Sequence, residues 1–359
     1  MIASTAPNTN KLKEILRQAD IKLSALAKDT SELPSLINEH KPALILLDVA
    51  NVEVEKTIVE SIIVEYNLPV IILTSRSVHD TAKTVYAISH GASDFILCDQ
   101  INMDYYQKEV IKKVKNVVLN SQKKVKKGLQ KKKKQNNYLR PKELNEEKRD
   151  QVKTKLAEKK LPNRGDSFDQ IVVIGTSTGG PKALQTVLSE LPKDFPAPII
   201  IVQHMPSGFT KSLANRLNHI CKIEVKEAVD GEKIQAATAY IAPGNYHLIV
   251  DENLKTSVFQ DRERDGHRPS VNVLFDSIAK LTKFEKIALI LTGMGKDGAE
   301  GVSEMKDKDP NTVVIVEAEE TAIIYGMPRA TIKTGAVTEV IPLEDIGERV
   351  IHYILKRGN

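Results

Sequence analysis

IVVIGTSTGG, residues 171–180, is an apolar run that breaks into a glycine-rich turn with Ser177 at its apex. Two later stretches repeat the design: IIIVQHMP, residues 199–206, and IALILTGMGKDG, residues 287–298. In each, four or more consecutive apolar residues read as a strand buried on both faces. A polar, chemically capable residue then follows at or just beyond the strand's carboxyl end: Ser177, His204 and Asp297. Open parallel sheets collect their sites at the carboxyl ends of strands, so the pattern predicts a doubly wound α/β domain. One edge of that sheet would receive a nucleophile, a base and an orienting carboxylate, the set a serine hydrolase needs.

The residues after Ser177 support a strand–turn–helix unit. Gly175, Gly179 and Gly180 ease the turn, and Pro181 suits a first helical position. Leu184, Val187, Leu188 and Leu191 then fall on one helical face before Pro192. Ser177 therefore lies between a buried strand and a helix amino terminus, where the helix dipole favours developing negative charge. GTSTG has the G-x-S-x-G form of a nucleophile elbow. A dinucleotide-binding turn is the first alternative, but the G-x-G-x-x-G spacing is missing, and Val229-Asp230-Gly231 lies far beyond the offset of about 20 residues usual for a ribose-binding acid. A purely structural glycine turn is the second. His204 and Asp297 weigh against both.

Of the eight histidines, His204, His247 and His267 are candidates for a base. His204 is preferred because its segment repeats the strand-end position of Ser177, and a neutral imidazole there can take and return a proton. His247 is placed just after the turn of an expected hairpin, YIAPGNYHLIV, and His267 precedes Arg268-Pro269. Asp297 stands between flexible glycines ahead of an expected helix from Ala299 to Lys306. Its alternative reading is a loop aspartate or one that caps that next helix.

Composition frames the rest. A chain of 359 residues exceeds what one core usually organises. Tryptophan is absent and aromatics make up 4%, so aliphatic side chains must build the cores. The two cysteines, Cys98 and Cys221, lie far apart, which argues against a disulfide scaffold or a zinc site and fits a reducing compartment, with the cytoplasm as the expected location. No apolar stretch approaches the roughly 18 residues of a membrane span, and the amino terminus lacks the pattern of a secretion signal. The net charge of +5 has one concentrated source, a lysine-rich stretch within residues 121–166 that includes Lys131 to Lys134. Too few large apolar residues lie there to offset ordering, so it is expected to be a linker between residues 1–120 and 167–359. Contact of those lysines with an acidic partner or an anionic membrane face is the sharper reading.

Residues 1–120 alternate helix and strand signals. Helices are expected over Lys11–Ala19, Leu33–Glu39, Glu55–Glu65, Asp80–Ser89 and about Tyr105–Leu119, with strands at ALILLD, PVIILTS and GASDFILC. This segment resembles the response-regulator receiver family and so implies a flavodoxin-like domain. Asp48 matches the family's phospho-accepting aspartate and Thr74 its switch hydroxyl. The acidic pair that holds magnesium is replaced by Ala3 and Ser4, and the phosphate-contacting lysine by Cys98, with Asp99 where a proline is expected. Magnesium takes hard oxygen ligands and an acyl phosphate needs a cation against its charge, so a degenerate receiver is expected.

From about Gln170 to Tyr353 the chain resembles the chemotaxis-specific protein-glutamate methylesterase family. IGTSTGGPKAL, QHMPSGFTKSLANRL, DGEKIQAATAYIAPGNYHL, HRPSVNVLF, ILTGMGKDGAEG and YGMPRAT occur in the family's order. The resemblance implies a Rossmann-like catalytic domain with a β-hairpin insertion, with Ser177 as nucleophile, His204 as base and Asp297 as third member. It further implies that Thr178 and the backbone of Met294 border the site. Before HRPSV the family commonly has Asn-Arg where this chain has Asp265-Gly266. The implied substrates are methylated glutamates on the cytoplasmic helices of chemoreceptors, with glutamine deamidation as a secondary activity and no metal or organic cofactor. A chemotaxis histidine kinase is the implied regulatory partner, and neither nucleic-acid binding nor membrane insertion is expected. A receptor-array scaffold without activity and a small-molecule serine esterase are the competing functions, separable by their action on soluble esters and on methylated receptor.

Overall fold

The computed structural model describes residues 2–3, 9–49, 56–98, 103–130 and 168–357. The chain divides into two compact units, Met1–Lys132 and Lys133–Asn359.

In the first unit, strands β1 (Ile2–Ala3), β2 (Leu26–Ala27), β3 (Ile45–Asp48), β4 (Val70–Thr74) and β5 (Asp94–Leu97) alternate with helices α1 (Thr9–Gln18), α2 (Leu33–His40), α3 (Lys56–Val64), α4 (Val78–Ser89) and α5 (Met103–Gln130). The strands form one parallel sheet in the order β2-β1-β3-β4-β5, the flavodoxin-like arrangement that βα alternation requires once right-handed crossovers place helices on both faces. Every residue of β3, β4 and β5 is buried, which is why these strands read as unbroken apolar runs. The Ser77 hydroxyl caps α4 by accepting the Asp80 N–H at 3.1 Å. Helix α5 buries Tyr106, Val110, Val114 and Val117 at helical spacing and runs on past Leu119, where a helix was expected to stop, to Gln130. The rest of the lysine-rich stretch, Ser4 and Asp99 lie outside the described residues.

The second unit contains β6 (Gln170–Thr176), α6 (Gly180–Ser189), β7 (Ile199–Gln203), α7 (Phe209–Ile220), β8 (Glu224–Glu227), β9 (Thr238–Ile241), β10 (His247–Val250), β11 (Thr256–Phe259), α8 (Val271–Ala279), β12 (Glu285–Ile290), α9 (Ala299–Lys308), β13 (Val313–Glu317), α10 (Met327–Ile332), β14 (Glu339–Ile341) and α11 (Leu343–Arg357). Seven strands form a parallel sheet in the order β14-β13-β12-β6-β7-β9-β8. The chain builds outward from β6 through β7 to β9 and β8, then returns to lay β12 on the other side of β6. The order reverses at β6, and at such a switch point the connections leave in opposite directions and open a crevice at the carboxyl edge. Ile171, Val173, Ile200, Val202, Ala288 and Ile290 pack with Leu274, Phe275 and Ile278 of α8 in one apolar cluster.

One expectation needs correction. YIAPGNYHLIV is not a hairpin: its first arm is β9, wholly buried and paired parallel with both β7 and β8. The hairpin insertion pairs β10 with β11, from His247↔Phe259 to Val250↔Thr256. Its turn is shaped by Asp251, whose Oδ1 accepts the N–H groups of Asn253 at 2.9 Å and Lys255 at 2.8 Å. Among the described residues, no helix is long and apolar enough to cross a membrane.

Candidate active site

Strand register sets the site. Thr176 pairs with Gln203 across β6 and β7, and Gly175 pairs with Ile290 across β6 and β12. One residue further on, Ser177 and His204 leave the sheet side by side, with Thr292 on the far side of Ser177. The backbone continues the ladder briefly, since His204 N donates to the Thr176 carbonyl at 3.1 Å and Ser177 N to the Thr292 carbonyl at 3.0 Å. The chain then turns through Gly179, whose φ of +83° lies in the left-handed region that L side chains rarely adopt. Pro181 stands at the start of α6, and Gly180 N donates to the Ser177 carbonyl at 2.8 Å.

His204 Nε2 lies 2.9 Å from Asp297 Oδ2. The other ring nitrogen, Nδ1, is buried and has no hydrogen-bond partner among the described residues. With Nε2 committed to a carboxylate, Nδ1 is the atom left to exchange a proton with a hydroxyl.

Asp297 has no exposed surface and is held on all sides. Its Oδ2 also accepts Val271 N at 2.7 Å, while Oδ1 accepts Asn272 N and the Ser270 hydroxyl, each at 2.9 Å. Val271 and Asn272 begin α8, so the carboxylate closes that helix's amino terminus and meets the positive end of its dipole. Burial by itself raises the carboxyl pKa. The hydrogen bond and charge of His204, joined by the Asn272 and Val271 N–H groups, outweigh it and hold the pKa below the ordinary carboxylate value. The carboxylate is thereby kept ionised and fixed, as an imidazole-orienting group must be.

Asn272 returns the arrangement. Its Oδ1 accepts Gly298 N at 3.0 Å and Gly301 N at 2.8 Å, at the amino end of α9. Each helix is thus capped by a side chain from the segment that begins the other. Asp297 does not cap the helix that follows it, as the capping alternative had it: Asn272 accepts the N–H groups at the start of α9, and the helix Asp297 caps, α8, begins more than twenty residues earlier.

Of the two rival histidines, His267 belongs here. Its ring stacks on His204 with centroids 4.0 Å apart and planes 12° from parallel. His247 is elsewhere, buried at the start of β10 with Nε2 donating to the Arg262 carbonyl at 3.0 Å. His204, His267 and Asp297 bring potential metal-ligating atoms within 4.8 Å of one another. Nearly parallel imidazoles aim their in-plane lone pairs side by side, however, and both Asp297 oxygens already accept two hydrogen bonds, so the set fits an oriented base better than a metal cage.

Thr178 follows Ser177 into the turn, and Met294 lies two residues beyond Thr292, whose carbonyl accepts the Ser177 N–H. The Thr178 carbonyl accepts the Thr292 hydroxyl at 2.9 Å, and Thr292 N donates to the buried Glu317 carboxylate at 2.7 Å. The segment leading into Met294 is held by Gly293, whose N–H donates to Ile324 O at 2.9 Å and whose carbonyl accepts Gly326 and Met327 N–H groups.

Asp48 belongs to the first unit, buried at the end of β3. The Thr74 hydroxyl donates to the Ser75 carbonyl at 3.3 Å and accepts the Thr84 hydroxyl at 2.7 Å. At the position expected for a lysine, Cys98 Sγ receives the Tyr106 hydroxyl at 3.9 Å. Burial, the thiol and the negative charge of Asp48 all push the Tyr106 pKa upward.

Sequence reading missed Gln203, Ser270, Asn272, Thr292 and Glu317. Gln203, Ser270, Asn272 and Thr292 lie inside the motif stretches already singled out, QHMP, HRPSVNV and ILTGMG, and that adjacency was the available signal.

The chain is similar to known proteins along nearly its whole length. The profile of the CheB methylesterase family matches residues 172–350. A protein-glutamate methylesterase/protein-glutamine glutaminase of Oceanobacillus iheyensis is 39% identical, over 93% of this chain and 92% of its own. The Bacillus subtilis protein of the same name is also 39% identical, over 95% and 94%. The solved CheB methylesterase catalytic domain of Thermotoga maritima is 44% identical and is matched in full by 52% of this chain, with a TM-score of 0.49.

Proposed function

We propose a mechanism from one premise: this chain belongs to the CheB methylesterase family, and it is a protein-glutamate methylesterase that removes γ-methyl esters from chemoreceptor glutamates in chemotaxis adaptation. Ser177, His204 and Asp297 carry the reaction. The observation behind the assignment is the 2.9 Å contact of His204 Nε2 with the fully buried Asp297, which among the described residues leaves Nδ1 as the ring nitrogen without a partner, while strand register sets the backbones of Ser177 and His204 side by side.

Ser177 Oγ attacks the ester carbonyl carbon while its proton passes to His204 Nδ1. The imidazolium is stabilised by Asp297, whose depressed pKa keeps it an anion and not a second acid. The tetrahedral oxyanion is received by backbone N–H groups of Thr178 and Met294. Collapse expels methanol with the proton from Nδ1, leaving a glutamyl ester on Ser177. Water attacks this ester through the same base and releases the carboxylate. A glutamine side chain enters the same acyl-enzyme with ammonia as leaving group, which accounts for the glutaminase activity named in the relatives.

The amino-terminal unit acts as a receiver-like module of a two-component system in the cytoplasm, and the cytoplasmic helices of chemoreceptors and a chemotaxis histidine kinase are its partners in this reading. Asp48 does not take up a magnesium-dependent phosphoryl group. Supporting this are the absent acidic pair and the thiol where the lysine belongs. The domains of this reading are residues 1–120, the basic linker 121–166 and the catalytic domain 167–359.

The test is methanol release from methylated chemoreceptor membranes. Wild-type protein should release it and Ser177→Ala should fall to the uncatalysed background with its fold intact. Equal release by the two proteins would remove Ser177 from the mechanism.

A further inference from the structure

Gln203 is wholly buried, immediately precedes the base and takes no part in the chemistry above. Its side-chain Nε2 donates twice, to the Ser177 carbonyl at 2.9 Å and to the His204 carbonyl at 3.1 Å. One amide group therefore spans the main chains of nucleophile and base. Its orientation is fixed by its neighbours, because a flipped amide would set Oε1 against two carbonyl oxygens. Oε1 instead points toward Gly180, where a Cβ would lie 1.9 Å from it. Gly180 is the residue that leaves room for this amide.

We infer that Gln203 is a positioning residue that sets the direction of the oxyanion-binding N–H beside the nucleophile, an inference that rests on the mechanism proposed above. The peptide unit joining Ser177 to Thr178 is planar and trans, so its C=O and N–H point in opposite directions. Holding the Ser177 carbonyl from Gln203 Nε2 and Gly180 N aims the Thr178 N–H the other way. The second Nε2 hydrogen restrains the peptide after His204, whose own N–H is already held by Thr176. Sheet register brings the two reacting residues together, and Gln203 holds the rotation of their peptide planes. Such a residue acts when charge develops on the substrate oxygen and contributes little to ground-state binding.

The experiment uses the full-length protein with Gln203→Met, which keeps volume and loses both donors, and Gln203→Glu, which sets a carboxylate against two carbonyls. Gly180→Ala displaces the amide by a second route. Each variant is assayed for methanol release from methylated receptor membranes and for Ser177 phosphonylation by a fluorophosphonate, and each is melted thermally. Gln203→Met should lower kcat by about 100-fold, the order lost with one oxyanion donor, with KM changed no more than about twofold. Phosphonylation should slow by a similar factor, Gln203→Glu should be worse than Gln203→Met, and Gly180→Ala should lower kcat in the same way. A folded Gln203→Met with wild-type kcat, or with its whole loss in KM, overturns the inference. If that variant does not fold, wild-type kcat in Gly180→Ala overturns it. The two readouts separate failures: a wild type that is phosphonylated but releases no methanol refutes the substrate assignment, while the phosphonylation rates still decide the role of Gln203. A wild type inert to both refutes the triad and the inference with it.

Discussion

The two units carry the same kind of sheet and opposite kinds of edge. Both are parallel, both reverse strand order beside their central strands, and both end buried strands on polar side chains. In the catalytic unit those side chains gather on one site: His204 turns to the Asp297 carboxylate, and Gln203 to the main-chain carbonyls of Ser177 and His204. In the amino-terminal unit they turn to their own surroundings. Thr74 bonds within its loop and to Thr84, and Tyr106 covers Cys98. The buried cation Lys113 is bound to Asp94, at the opposite end of β5, at 3.2 Å and to Glu109 at 3.2 Å. Its pKa stays raised because those carboxylates outweigh a burial penalty that by itself lowers it. The fold offers a crevice at every such edge, and convergence of side chains decides whether chemistry occurs there.

The contrast breaks most easily at Asp297. Asp297→Asn should lower kcat by about 10⁴-fold with KM little changed, because the wrong imidazole tautomer is then held. The same variant has a stability signature. A carboxyl whose folded pKa lies below its unfolded value stabilises the fold above the unfolded pKa and loses that contribution as pH falls through the folded value. Urea unfolding should therefore show wild type more stable than Asp297→Asn at neutral pH, with the gap closing only in acid below the ordinary carboxyl range. A gap independent of pH would deny Asp297 its charge.

A smaller effect is expected at Asn272. Asn272→Ala leaves the N–H groups of Gly298 and Gly301 without their acceptor and should cost about 1–3 kcal/mol in urea unfolding. Activity should fall as well, since Asp297 is reached through the same turn. Full activity at reduced stability would show that the cap is structural only.

Least of all is expected from Asp48→Asn. Methanol release should match wild type with and without magnesium and beryllium fluoride. Stimulation of the wild type that Asp48→Asn abolishes would make the two edges functionally alike and end the contrast.

What was legible beforehand follows from locality. Ser177, His204 and Asp297 each end an apolar run that can be read within a dozen residues, and the run itself implies the buried strand. Gln203 could be seen only as the last polar residue of a strand, because its partner Ser177 lies 26 positions earlier. Asn272 and Asp297 are separated by 25 positions, and nothing in either neighbourhood announces the other. The hairpin was misplaced for the same reason. YIAPGNYHLIV sets two short stretches either side of a Pro-Gly-Asn turn, but parallel pairing with β7 and β8 claims the first for the main sheet. His267 was weighed by its sequence neighbours, whereas its importance lies in the ring it covers.

The reciprocal capping by Asp297 and Asn272 bears on how lineages of such proteins decay. A copy released from selection for activity still needs both helix starts closed, so Asp297 would persist on grounds of folding long after catalysis ended. Ser177 shows no such second duty: among the described residues, the hydrogen bonds that hold it in the turn run through its backbone N–H and carbonyl. In a set of diverged sequences the serine, and not the aspartate, is therefore the position at which pseudoenzymes first declare themselves.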